Sequence, residues 1–146
     1  IDPDLNYLSH FFVYSIHYLI YTTCMIVIAM IFAGVAVAMG AFGSHALKDI
    51  FSAPLLQTYE IATRYLMWHA LGLMLCDIIS KQYPSISMWP RYGLLLGITV
   101  FSGTLYLYCF TGNTVWAMIT PIGGATLIIS WFGMAWRVWK SSVINR

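Results

Sequence analysis

The chain has 146 residues, 60% of them hydrophobic and 8% charged, with a formal net charge of +2 and a mean hydropathy of +0.78. Soluble domains carry about 25% charged residues to cover their surface, so this composition excludes a water-facing globule and leaves no length for a separate soluble catalytic unit. The charge is also too small and too scattered for nucleic-acid binding.

The pattern predicts an all-α membrane protein with four transmembrane helices and a short interfacial helix between the first and second. Residues 1–24 do not read as a cleavable signal, since they lack a basic n-region and a small-residue cleavage site. Residues 11–43 contain no Asp, Glu, Lys or Arg, which as one helix is roughly 50 Å against a hydrocarbon core of about 30 Å. We therefore expect residues 1–24 to be a non-native N-terminal extension, with no role for His10 and His17. The four-helix domain is expected over 25–140 and a cytoplasmic tail over 141–146.

The first span is expected from Met25 to Phe42. Its small residues, Ala29, Ala33, Gly34, Ala36, Ala38 and Gly40, permit close approach of a neighbouring helix. Gly40 and Gly43 are expected to turn the chain out of the helix, using conformations closed to other residues. Residues 44–58 then predict the interfacial helix, with Ala46, Leu47, Ile50 and Phe51 on one face, Ser44 as cap, and Pro54 ending it or beginning the next element.

The second span is expected over residues 59–80. Glu60 and Arg64 stand four apart, in the order that favours pairing. His69 lies about 140° round the helix from Arg64 at 100° per residue, and shares a face with Tyr65. Asp77 and Lys81, also four apart, close the far end. Residues 81–91 predict a turn outside the bilayer, with Tyr83, Trp89 and Tyr92 as an interfacial aromatic belt.

Residues 92–110 predict the third span, in which Gly93 and Gly97 form a small-xxx-small pattern. Thr111–Thr114 predicts a turn. The fourth span is expected over 120–139, started by the Thr120 hydroxyl and Pro121 at the first helical position. Four spans place both termini on one side. Lys81, Arg91, Arg137, Lys140 and Arg146 fall there, against Lys48 and Arg64 opposite, so the positive-inside rule puts both termini in the cytoplasm of a plasma membrane, the inner membrane in bacteria.

Four separated motifs carry a resemblance. They are Gly40-Ala-Phe-Gly43-Ser-His45, Tyr59-x-x-Ala-x-x-Tyr65-x-x-x-His69-Ala-Leu71, Phe101-Ser102-Gly103-Thr-Leu-Tyr106 and Thr120-Pro121-Ile-Gly123-Gly124. In this order, over Met25 to Trp139, they resemble the YgdD-like family of small inner-membrane proteins, a family of unknown function. The resemblance implies a four-helix membrane protein and no activity.

The candidate chemistry is a polar cluster of His45, Glu60, Arg64 and His69 near the outer face. Ionisable groups at membrane depth mark either a function or a pairing. The plain reading is a Glu60–Arg64 interfacial salt bridge, His45 capping a glycine turn, and His69 bonded to Ser102, Thr104 or a backbone carbonyl across the bundle. The sharper reading is a pocket for an anion, a lipid headgroup or a proton path. Cys24, Cys76 and Cys109 form no CxxC pair and read as apolar packing residues. GxSxG, HExxH, P-loop and GxGxxG are absent, and no cofactor or metal is implied. The expectation is a non-enzymatic structural or accessory protein of the lipid bilayer, in a larger membrane complex or a homo-oligomer. The alternative is a binder or transporter of a small ion, a small molecule or a lipid.

Overall fold

A computed structural model describes the backbone of residues 3–83 and 89–144, and side chains over 23–83 and 89–143. Four α-helices account for almost all of it: α1 (Pro3–Phe42), α2 (Ala53–Gln82), α3 (Trp89–Thr111) and α4 (Thr114–Ile144). There is no strand among the described residues. Three segments are long and apolar enough to cross a bilayer: Thr23–Leu47, Trp89–Thr111 and Thr114–Val143. α2, which carries Glu60, Arg64, Asp77 and Lys81, is not among them.

Between α1 and α2 the interfacial helix expected over residues 44–58 does not form. α1 runs on into one π-helical turn, Gly43–Leu47. A short turn follows, and α2 starts at Ala53 with Pro54 in its first turn. A proline has no N–H to leave unpaired there, so Pro54 opens α2 rather than closing an earlier helix. Ser44 caps nothing, because its hydroxyl donates to the Gly40 carbonyl one turn back, at 3.0 Å. Neither Gly40 nor Gly43 adopts a left-handed conformation; Gly112, φ +66°, is the positive-φ residue of the described chain.

The start of α4 also differs from expectation. The Asn113 side chain accepts from the Val115 N–H at 3.0 Å and caps the helix seven residues before Thr120. Pro121 therefore lies inside α4. Membrane helices tolerate such prolines because neighbouring groups satisfy the freed carbonyls. Thr120, expected as the cap, donates back to the Trp116 carbonyl at 3.1 Å and meets Thr104 of α3 at 2.8 Å.

The helices pack antiparallel in chain order: α1 on α2, α2 on α3, α3 on α4. Ala29 and Ala36 of α1, Leu66, Leu73 and Cys76 of α2, Leu94 and Ile98 of α3, and Leu127 and Met134 of α4 form one core. α3 and α4 approach most closely. A Cβ at Gly93 would strike Ser130, one at Gly97 would strike Leu127, and one at Gly123 would strike the Phe101 backbone. Trp89 lies over Gly133, and Trp131 of α4 reaches across to Gly72 of α2. Apolar residues face outward on every helix, among them Met30, Leu71, Leu96 and Phe132, as a protein solvated by lipid requires.

Candidate functional site

Charged and polar groups collect at the two ends of α2. At its N-terminal end, α1 and α2 meet around Tyr59. The Tyr59 ring lies where a Cβ on Gly43 would be, 2.7 Å from its nearest ring carbon. Its hydroxyl donates to the Met39 carbonyl at 2.8 Å. Edge-on contacts join it to Tyr106, Phe110 and Phe51, at centroid distances of 5.1, 6.1 and 6.1 Å. The hydroxyls of Tyr106 and Thr63 meet at 2.9 Å, and Cys109 Sγ contacts the Leu55 carbonyl at 3.6 Å. Gly43 and Tyr106 thus serve one aromatic junction that ties α1, α2 and α3 together.

A pocket of about 270 Å³ opens beside this junction, lined by Gly40, Gly43, Ser44, Tyr59, Glu60, Thr63 and Arg64. Glu60 and Arg64 are both exposed on its rim, and neither makes an ion pair or side-chain hydrogen bond among the described residues. The salt bridge expected from their spacing is not formed. His45 projects from the π-helical turn, is exposed, and does not line the pocket.

His69 is separate again. It is buried, its Nδ1 lies 2.8 Å from the Tyr65 carbonyl of its own helix, and its ring stacks on Tyr65. A carbonyl only accepts, so Nδ1 carries the proton in this bond. The structure therefore brings two of the four predicted cluster residues together, and His69 is held within its helix, not across the bundle. Thr104 bonds Thr120 instead, and buried Ser102 Oγ makes no hydrogen bond among the described residues. Gly103 has open space beside it, while Gly124 meets the Phe101 ring at ordinary contact distance.

The C-terminal end of α2 holds a site that sequence reasoning missed. Asp77, 0% exposed, receives Arg91 Nη1 of α3 on its Oδ1 at 3.0 Å. Lys81, largely exposed, reaches Asp77 Oδ2 at 3.4 Å. Asp77 Oδ2 and Arg91 Nε lack a directed hydrogen bond among the described residues. The guanidinium also lies 5.5 Å over the Tyr92 ring. Arg91, expected to flank an exposed turn, is 2% exposed. The one signal for it was an aspartate at the end of an apolar run with two cations within reach. Residues 84–88, the middle of the predicted turn, lie outside the described residues. No group of three His, Cys, Asp or Glu side chains among the described residues is placed to hold a metal.

These features fall within residues 39–124, which match the family described as proteins of unknown function, DUF423. The chain belongs to the DUF423 family. It is 41% identical over 106 residues to the UPF0382 membrane protein SSP2132 of Staphylococcus saprophyticus, covering 73% of this chain and 88% of that one. Identity to the UPF0382 membrane protein YwdK of Bacillus subtilis is 37%, over 73% of this chain and 88% of that protein. To the UPF0382 inner membrane protein YgdD of Escherichia coli it is 31%, over 73% and 82%. No solved structure matches. The DUF423 match takes in both ends of α2, the pocket and the Asp77–Arg91 pair alike, and the close-packed stretch of α3 and α4 around Phe101 and Gly123.

Proposed function

We propose that this DUF423 protein is a non-enzymatic structural or accessory component of a plasma membrane, acting through assembly with another membrane helix. The observation that carries the reading is the outward face of α1. Among the described residues α1 packs chiefly on α2, and Val27, Ile31, Gly34, Ala38 and Ala41 are all exposed along one side of it. Nothing lies within 4 Å of a Cβ built on Gly34. The glycines of α3 and α4, by contrast, are mostly consumed inside the fold. Small residues on an open helix face let a second backbone approach, which in lipid is a main source of helix association. The buried polar groups support the same reading, because His69, Thr63, Thr104 and Asp77 are engaged in bonds that hold or join helices.

In this reading α2 is the fourth spanning helix. It packs between α1 and α3, and its charges are confined to its two ends, leaving residues 65–76 uncharged. That uncharged stretch is roughly 18 Å long, and Asp77 below it is neutralised inside the protein. Both termini then lie on the side of Lys81, Arg91, Arg137 and Lys140, the cytoplasmic side by the positive-inside rule. Native mass spectrometry of the protein released gently from its own membrane tests the assembly. A homo-oligomer or a fixed-stoichiometry partner, lost in Gly34→Ile, is the expected result. A lone monomer unchanged by Gly34→Ile would overturn it.

A further inference from the structure

From the pocket beside Tyr59 and the outer face of α2 we infer a binding site for one zwitterionic aminophospholipid, its phosphate on Arg64 and its ammonium on Glu60. Both charges stand on the rim of the pocket, with neither side chain spent on the other or on any described neighbour. A pair at this spacing on a helix surface normally attracts. Held apart, the two present one positive and one negative group to a single ligand. A guanidinium binds phosphate oxygens through paired N–H donors. A carboxylate accepts from a primary ammonium but finds no N–H on a quaternary one.

The surface below the pair identifies a lipid, as opposed to a free phosphate ester. Trp68, Leu71, Leu75 and Ile78 follow Arg64 along α2, each at least 46% exposed. At about 100° per residue, Glu60, Arg64 and these four fall within about 80° of one another round the helix. From Arg64 to Leu75 is roughly 16 Å of helix, close to half the hydrocarbon core. A charged pair at the top of an apolar track one leaflet deep has the dimensions of one phospholipid. The site is distinct from the assembly face of α1, and it rests on the reading that α2 crosses the membrane.

The test is lipid retention by the full chain in nanodiscs made from equal parts of phosphatidylethanolamine, phosphatidylcholine and phosphatidylglycerol, followed by native mass spectrometry. Wild type is expected to keep one phosphatidylethanolamine in preference to the other two. Arg64→Ala should lower that retention about tenfold, the worth of a charge-assisted bond. Glu60→Gln should keep a bound phospholipid but lose the preference for ethanolamine over choline. Both side chains are exposed, and circular dichroism checks that the variants remain helical. Equal retention of the three lipids by wild type, or no change in Arg64→Ala, overturns the site. Displacement by millimolar glycerophosphoethanolamine alone would assign it to a free phosphate ester and overturn the lipid. A spin label on Leu71→Cys, in a Cys24→Ser background, reads the depth of α2 separately. A label in water would sink the spanning reading, whatever the headgroup result.

Discussion

The two ends of α2 use similar chemistry and reach opposite outcomes. Each end carries an acid and a base four residues apart, Glu60 with Arg64 and Asp77 with Lys81. At the first end both groups are exposed and unpaired. At the second the acid is fully buried, and its closest partner is not the cation on its own helix but Arg91, fourteen residues on and in the next helix. Spacing along a helix brings two charges within reach, and burial decides whether they must pair. A side chain in contact with solvent or headgroups loses little by standing alone. One enclosed between helices incurs a desolvation penalty that only a close counter-charge offsets.

The largest effect is expected at the buried end. Asp77→Ala leaves the Arg91 guanidinium enclosed without its partner, and should cost about 3–5 kcal/mol of stability in denaturant unfolding from micelles. Removing both charges together, in Asp77→Leu with Arg91→Met, should recover most of that loss. If the double variant is no better than the single, the penalty lies in lost packing and not in an orphaned charge. Next in size is Gly123→Ala, whose methyl would meet the Phe101 backbone, so α3 and α4 must part. A loss of about 1–3 kcal/mol is expected, with none for Gly34→Ala, where the space is open. Tyr59→Phe keeps the ring in place against Gly43 and removes only the bond to Met39, so about 1 kcal/mol is expected. Smaller again is the effect of Glu60→Ala, which should change stability by less than about 0.5 kcal/mol. A larger loss there would mean that the exposed end is paired after all.

Much of the helical layout was legible in the sequence, because apolar runs separated by polar breaks report it directly. The turn at Gly112–Asn113 and the close packing at Gly93 and Gly97 followed from residue type alone. Other readings failed. Pro121 looked like a helix start because a hydroxyl preceded it, yet inside a membrane helix that hydroxyl bonds the preceding turn and the proline is accommodated. Gly40 and Gly43 looked like a turn, but Gly43 is needed for its missing side chain, in whose place the Tyr59 ring sits. The neighbours of Arg91 in sequence point to solvent, while its environment is set by Asp77 across a connection. At Gly43 and Arg91 the neighbour that decides the residue's use comes from another helix, whereas at Thr120 it is the preceding turn of α4 itself. The pocket too was foreseen only in part: Glu60 and Arg64 share its rim, while His45 and His69 face elsewhere.

The order in which the helices touch has a consequence for how the protein is made. Each helix packs chiefly on the one before it. In the four-span reading proposed above, each helix after the first meets a partner that is already in the bilayer as the chain emerges from the ribosome. Little sequence separates the contacts, so little loop entropy opposes them. The molecule can be completed in the direction of its synthesis, with the glycine-lined fit of α4 against α3 made last, once the α2–α3 hairpin has enclosed its charges.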